Sequence, residues 1–161
     1  MRIIFPCLLM LAACGGDGGN SLASGTDVAA GAAASTACTI LTEADAEKAL
    51  GHKVTRLPAT GGPAGLDICQ YGWEGERIAE TGNVSVTVHP NPISDFRKSV
   101  AEAGMGVETV SGVGDDAFWA KEAGLYVGKS NRTAIYLIGG AGISDNRAAA
   151  VELARETARR L

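Results

Sequence analysis

The residues best suited to acid–base or metal chemistry are two histidines and one pair of adjacent carboxylates. His52 and His89 could each accept a proton, but neither G-x-S-x-G nor S-x-x-K, the motifs of two nucleophile classes, occurs in the chain. Asp115 and Asp116 could bind calcium or act as paired carboxylates. Adjacent residues at the start of a strand point to opposite faces, however, and turn chemistry at Gly114-Asp115 explains the pair better. The sequence therefore predicts no catalytic residue, no metal ligand and no cofactor here.

Three further groups have compositions that occur in binding sites. The glycine-rich segment 139–144 precedes a helix and could expose N–H groups to an anion, but it matches neither G-x-G-x-x-G nor the Walker pattern. We expect it to be a flexible connection with Ser144 as the helix cap. The basic segment 129–132 is expected at a hairpin tip, either contacting lipid head groups or a partner, or simply solvated. Four aromatic residues either line a ligand cleft or, as we expect, supply core area: Tyr71, Trp73, Trp119 and Tyr126.

The N-terminus has the pattern of an export signal that ends at a cysteine. Met1-Arg2 is positively charged, and the following apolar stretch to Ala13 suits a secretory signal and is too short to span a bilayer as a helix. Leu11-Ala12-Ala13 directly precedes Cys14, and two glycines follow it. This resembles the lipobox of bacterial lipoproteins, in which the cysteine thiol takes a diacylglyceryl group and the peptide is cut before it. The alternative is an ordinary signal peptide in which Cys14 is incidental.

The lipobox resemblance implies a signal peptide at residues 1–13, lipidation at Cys14 and a membrane anchor in the cell envelope. Two or three acyl chains on one residue make dissociation from a membrane negligible, because each buried methylene contributes about 0.8 kcal/mol. In Gram-negative lipoproteins an Asp directly after the cysteine favours retention at the inner membrane. Gly15 occupies that position, so the outer membrane, facing the periplasm, is favoured in such a host.

The anchor is followed by a linker and then by two more cysteines. Fifteen of the 22 residues from 15 to 36 are Gly, Ala or Ser, so residues 14–36 are predicted to form the lipidated cysteine and a flexible tether. Cys7 leaves with the signal, and Cys38 and Cys69 remain. Outside the cytoplasm such a pair usually forms a disulfide. A redox pair or a metal site is a weaker alternative, because there is no C-x-x-C spacing and neither histidine has ligand-like spacing to the cysteines.

Residues 37–161 are predicted to form one α+β domain. Thr42 to Asp45 resemble a capping box and Gly51 a helix end, and helices are also expected after Pro92 and after Ser144. The valines at 84, 86 and 88 alternate with polar residues and give the best strand signal. Short loops between clustered strands predict an antiparallel sheet of about six or seven short strands, with three helices covering one face.

Length, charge and composition limit the classes of protein to which this chain can belong. The 161 residues suffice for one ordinary domain, and 14 basic against 18 acidic residues give a net charge of −4. This mildly acidic chain has no basic excess with which to bind nucleic acid. Twenty-two glycines and 5% aromatic residues indicate many turns and a thin core.

Several short motifs together resemble one protein family. They are the segment from Cys38 to Thr42, the segment 46–51, the strand beginning Cys69-Gln70-Tyr71, and the stretch from Val110 to Ala117. This pattern is similar to a family of small bacterial lipoproteins of unknown function, best represented in actinobacteria. The resemblance implies an N-terminal helix whose cysteine pairs with one in an early strand, but it supplies no catalytic residues.

The function predicted from these features is that of a non-catalytic binding or interaction module held at the cell envelope by lipid. Its partner would be an envelope protein, a glycan or a small ligand, besides the membrane itself. Two alternatives remain open. One is a carrier of a small apolar or lipid ligand between sheet and helices, and the other is an enzyme acting on envelope polymers, which would need His52 or His89 beside a carboxylate.

Overall fold

Local capping chemistry and strand alternation together define the elements of this computed structural model, which describes residues 35–58, 66–76 and 80–161. The predicted signal peptide, Cys14 and nearly all of the predicted linker lie outside the described residues. The elements in chain order are α1 (Thr36–Ile40), α2 (Glu43–Leu50), β1 (Thr55–Leu57), β2 (Asp67–Glu74), β3 (Thr81–His89), α3 (Ile93–Glu102), β4 (Val107–Thr109), β5 (Asp116–Ala120), β6 (Gly124–Lys129), β7 (Arg132–Gly140), α4 (Asn146–Thr157) and a 3₁₀ turn (Ala158–Arg160).

The seven strands form one antiparallel sheet in the order β1-β2-β3-β7-β6-β5-β4. Hairpins build each half of the sheet, and the pairing of β3 with β7 joins the halves at the centre. In this register Val84 faces Ile138, and Val86 faces Tyr136. The predicted α+β class and antiparallel sheet are confirmed.

The two faces of the sheet are covered differently. The main core lies between one face and the helices α1, α2 and α4, and its largest fully buried side chains include Tyr136, Ile40 and Leu41. Helix α3 packs on the opposite face, against Phe118 and Tyr126. The prediction that the helices cover one face is therefore wrong for α3. Phe118 and Tyr126 alternate with core residues along β5 and β6, so these strands have apolar residues on both faces, which require a second cover.

Helix ends follow side-chain capping. Thr42 accepts from the Asp45 N–H while the Asp45 carboxylate accepts from the Thr42 N–H, and Gly51 ends α2 in the left-handed conformation, as predicted. The predicted cap of the last helix at Ser144 is wrong by one residue. Asp145 accepts from the Ala148 N–H at 2.9 Å, because an ionised carboxylate binds the free N–H groups and the helix dipole more strongly than a hydroxyl does.

Helix α1 begins before the predicted domain boundary. Ser35 caps it and Thr36 is its first residue, so the last two residues of the predicted linker are ordered. The Asp67 carboxylate of β2 accepts hydrogen bonds from the Ser35 hydroxyl and, at 3.0 Å, from the Ala37 N–H. These bonds from a distant strand fix the short helix, and no local pattern in the sequence indicates them.

A disulfide joins Cys38 of α1 to Cys69 of β2, with an S–S distance of 2.05 Å. Cys69 is almost fully buried, and its sulfur lies in the main core. The bridge closes a loop of 31 residues between two elements that Asp67 also connects. The predicted pair of cysteines is therefore joined, and it attaches α1 to the sheet.

Candidate functional site

The two histidines lie far apart and next to aromatic rings. The His52 imidazole stacks on the Trp73 indole, with ring centroids 3.6 Å apart, and the His89 ring contacts the edge of Phe96 at 4.8 Å. Trp73, which stacks on His52, pairs with Gly82 of β3, and Gly82 lies seven residues before His89 on that strand. At 3.3 Å per residue, Gly82 and His89 are about 23 Å apart along the strand. In the described residues neither imidazole hydrogen-bonds a carboxylate, so these side chains do not form an acid–base pair.

The adjacent carboxylates are engaged separately. Asp115 accepts a hydrogen bond from the Ser130 N–H at 3.1 Å, and Asp116 binds one guanidinium nitrogen of Arg97 at 2.8 and 2.9 Å. Within the part of the chain that the structure describes, no group of three potential metal ligands lies together. Turn chemistry and one ion pair account for both residues.

The glycine-rich segment uses its backbone inside the fold. The Ala141 N–H donates to the Thr81 carbonyl at 2.8 Å, and the Ile143 N–H donates to the Gly140 carbonyl at 3.3 Å. Gly140 has a φ of +134°, and a Cβ on it would lie 2.2 Å from the Gly82 Cα. A glycine is needed at 140 because β7 approaches β3 closely there. This packing requirement explains the glycine without a ligand.

The basic hairpin tip binds the end of the chain. Ser130 and Asn131 both have positive φ, the conformation of a tight type I′ turn. Lys129 Nζ donates to the Arg159 carbonyl at 2.7 Å, and Arg132 donates to the Leu161 carbonyl at 3.3 Å. Two cations thereby satisfy carbonyls that a helix end leaves free. No sequence pattern indicates this contact, because it joins residues about 30 positions apart.

Two of the four aromatic candidates are buried and two are partly exposed. Tyr71 belongs to the main core, and Tyr126 stacks on Phe118 beneath α3 with centroids 4.5 Å apart. Burial raises the pKa of the Tyr126 phenol above its usual value. Trp73 and Trp119 are half-buried against the main core. The aromatic residues therefore supply core area, and the structure does not bring all four to one cleft.

The most exposed apolar feature is half of one sheet face. Helix α3 covers β4, β5 and β6 on the side opposite the main core, whereas no described helix covers β1, β2, β3 and most of β7 on that side. We call this uncovered area the open face, and its residues are partly or fully exposed: Leu57, Ile68, Gln70, Ser85, Thr87 and Leu137. Leu137, at 43% exposure, is the single large apolar side chain classed as exposed among the described residues.

The register of the strands determines which side chains lie together on the open face. Gln70 pairs with Ser85, Ile68 with Thr87, and Ser85 with Leu137, so these side chains form continuous rows across three strands. Leu137 extends over Gly124, where a Cβ would lie 2.6 Å from its Cδ2 atom. The alternation of polar residues on β3 indicates this face from sequence. The exposure of Leu137 could not be predicted, because β7 has apolar residues on both of its faces.

Comparison with protein-family models, with curated proteins and with solved structures finds no match to this chain. The resemblance to a lipoprotein family therefore stays a prediction from the motifs given above. Among the described helices, none is long and apolar enough to cross a membrane.

Proposed function

We propose that this protein is a lipid-anchored module of the bacterial cell envelope that binds a partner through its open face and performs no catalysis. The observation that carries the binding proposal is the group of exposed Leu137 and half-buried Ser85, Thr87 and Ile68, which form two adjacent rows on the open face. A surface that combines apolar and polar side chains on paired strands offers the mixed apolar and polar area that protein interfaces bury.

The anchoring part of the proposal is supported by the N-terminal sequence. The apolar stretch, the small residues before Cys14 and the Gly/Ala/Ser composition of residues 15–36 agree with each other. A tether of about 20 residues has a root-mean-square reach of about 25 Å. Such a tether leaves the domain free to orient its open face toward a partner near the membrane.

The anchor is tested by replacing one atom. The expected result is that the wild-type protein sediments with envelopes and has an intact mass increased by fatty chains, whereas Cys14→Ser is released into the soluble fraction. Cys7→Ser, in the same leader, is the control and should leave both results unchanged. An unmodified mass for the wild type would contradict the anchor.

The open face is tested by site-specific photo-crosslinking in the native host. A photoreactive residue at Thr87 lies on the open face, and one at exposed Arg155 lies on α4, across the sheet. A discrete adduct at position 87 that is absent at position 155 supports the proposal. Equal adducts at both positions, or none at 87, would contradict it.

Neither alternative gains an observation from the structure. A carrier would need space between sheet and helices, where Ile40, Leu41 and Tyr136 are fully buried and the Tyr136 hydroxyl is hydrogen-bonded to Thr157 at 3.0 Å. An enzyme would need a general base beside a second polar group, and His52 and His89 contact aromatic rings instead.

A further inference from the structure

Helix α3 packs on a small apolar cluster that is separate from the main core. The fully or nearly fully buried members of this cluster are Val100, Phe118, Ala120 and Tyr126. The chain enters the helix through Pro90-Asn91-Pro92 and leaves it through Gly104-Met105-Gly106. Pro92 provides no side-chain cap, so the first N–H groups of α3 have no side-chain acceptor from that position.

Few side chains attach α3 to the sheet. Ile93 lies over Gly128, where a Cβ would be 2.7 Å from its Cγ2 atom, and Phe96 contacts both His89 and Tyr126. Arg97 supplies the single ion pair between α3 and the sheet among the described residues, to Asp116. Both of its charged side chains are about one-third or more exposed, so the pair contributes little to stability. Segments with few buried contacts and weak polar ties open before the whole domain unfolds.

We infer that α3 is a lid that opens as a unit about its proline-rich and glycine-rich ends, and that protonation of His89 favours the open form. Opening uncovers Phe118 and Tyr126 and joins them to the open face through Ile135, which lies between Tyr126 and Thr87 in the register. This inference does not depend on the proposed function, because it concerns the motion of α3 whether or not a partner binds.

The pH dependence follows from the surroundings of His89. Phe96 is its neighbour from α3, and Thr133 pairs with it from β7 and donates its hydroxyl proton to the Asn91 carbonyl. The charged residues next to these contacts in sequence have other partners: Arg97 binds Asp116, Arg132 binds the Leu161 carbonyl, and Asp95 of α3 accepts from the Ser94 hydroxyl at 3.5 Å. On the adjacent strand β2, Asp67 pairs with Val88 and is hydrogen-bonded to α1.

Burial lowers the pKa of His89, because no facing charge compensates for the lost solvation of the imidazolium. In the open form the ring is solvated and its pKa returns toward the ordinary value. His89 therefore binds a proton more tightly in the open form than in the closed form. The population of the open form rises as the pH falls below about 6.5. Once the pH is below the lowered pKa of the closed form, the effect reaches its limit.

Hydrogen exchange on the full chain tests the lid at pH 7.5 and 5.5, after correction for intrinsic exchange rates. The expected result is that α3 amides exchange faster than α4 amides at both pH values, and that the ratio is higher at pH 5.5 than at pH 7.5. His89→Gln should remove the rise, whereas His52→Gln should retain it. Equal protection of α3 and α4, or a rise that persists in His89→Gln, would overturn the inference.

A second variant tests the lid if His89→Gln fails to fold. Arg97→Gln removes the ion pair to Asp116 and the cation above the Phe118 ring, 4.6 Å from its centroid. The expected result is exchange in α3 that is faster by about two- to fivefold, the effect of losing a partly exposed ion pair, with unchanged exchange in α4. Unchanged exchange in α3 would contradict the inference that these few contacts hold it closed. Lys98→Gln, in the same helix with a highly exposed side chain, is the matched control. Acceleration of α3 and α4 by the same factor would show that α3 opens only with global unfolding.

Discussion

Arg160, in the last turn of the chain, forms an ion pair with Asp45 in the first turn of α2, 115 residues earlier. The same guanidinium donates to the Ile40 carbonyl at 2.7 Å, at the end of α1. One side chain therefore connects α1 and α2 to the 3₁₀ turn that follows α4. Burial raises the pKa of Asp45, but hydrogen bonds from Arg160 and Thr42 outweigh burial and lower it to about 2.

The Asp45–Arg160 pair predicts a loss of stability in acid. Because the folded pKa is below the ordinary 3.8, the carboxylate stabilises the fold above pH 4, and this contribution is lost as the pH falls toward 2. Asp45→Asn should lower the free energy of unfolding by about 1–2 kcal/mol at pH 7 and flatten its decline between pH 4 and 2. Urea unfolding at these pH values measures both effects.

Glu47→Gln is the control for this experiment. Glu47 lies in the same helix and binds Lys53, whose side chain is 92% exposed. Its replacement should change the unfolding free energy by less than about 0.5 kcal/mol. An effect as large as that of Asp45→Asn would mean that helix charge, rather than the Arg160 contact, determines the acid response.

The buried Tyr136–Thr157 hydrogen bond predicts a loss of stability in alkali. Burial raises the pKa of Tyr136 to about 12, and the unfolded chain ionises near 10, so stability falls as the pH rises from 10 toward 12. Tyr136→Phe should cost about 1 kcal/mol at pH 7 and should reduce the decline between pH 9 and 11. Denaturant unfolding at pH 7, 9 and 11 checks this, and identical declines in both proteins would contradict it.

The close approach of β3 and β7 predicts different costs at two neighbouring glycines. A Cβ at Gly140 would meet the Gly82 backbone at 2.2 Å, whereas a Cβ at Gly142 would have nothing within 4 Å. Both residues have positive φ, so Gly142→Ala should cost about 1 kcal/mol of backbone strain. Gly140→Ala should cost at least about 2 kcal/mol more, because backbone must move. Thermal unfolding compares the two variants, and equal costs would show that the strands separate easily.

The disulfide predicts a large stabilisation of a domain with few aromatic residues. Closing a 31-residue loop removes about 3–4 kcal/mol of chain entropy from the unfolded state. The double variant Cys38→Ser/Cys69→Ser should lose about this amount in denaturant unfolding, and α1 should lose hydrogen-exchange protection before β3 does. A loss of less than 1 kcal/mol would indicate that Asp67 and Arg160 suffice to hold α1.

Local signals in the sequence predicted helices and strands well. Features that depend on contacts between distant residues could not be predicted in this way. The Thr42 capping box and the valines of β3 needed only nearby residues, so the sequence predicted α2 and β3 correctly. Helix α1 depends on Asp67 and Arg160, which lie about 30 and 120 residues away. No local pattern could indicate contacts of that kind.

The faces of β5 and β7 show why the candidate site was only partly predictable. Phe118 and Leu137 are both apolar residues on the side opposite the main core, yet one lies beneath α3 and the other is exposed. Which of them is covered depends on where α3 packs, and hence on the paired strand order. The disulfide could therefore be predicted from the sequence, whereas the packing of α3 on the second face and the open face beside it could not.

Crosslinking through Thr87 in membrane-anchored protein, with Leu137 intact or replaced by Lys, tests the central claim most directly. Leu137 is exposed, so the substitution should leave thermal unfolding unchanged within about 0.5 kcal/mol. If the open face binds the partner, the discrete adduct at position 87 should fall by about fivefold or more in Leu137→Lys, while Glu152→Lys, at an exposed position of α4 across the sheet, leaves it unchanged. An adduct of equal yield in both proteins would contradict the account.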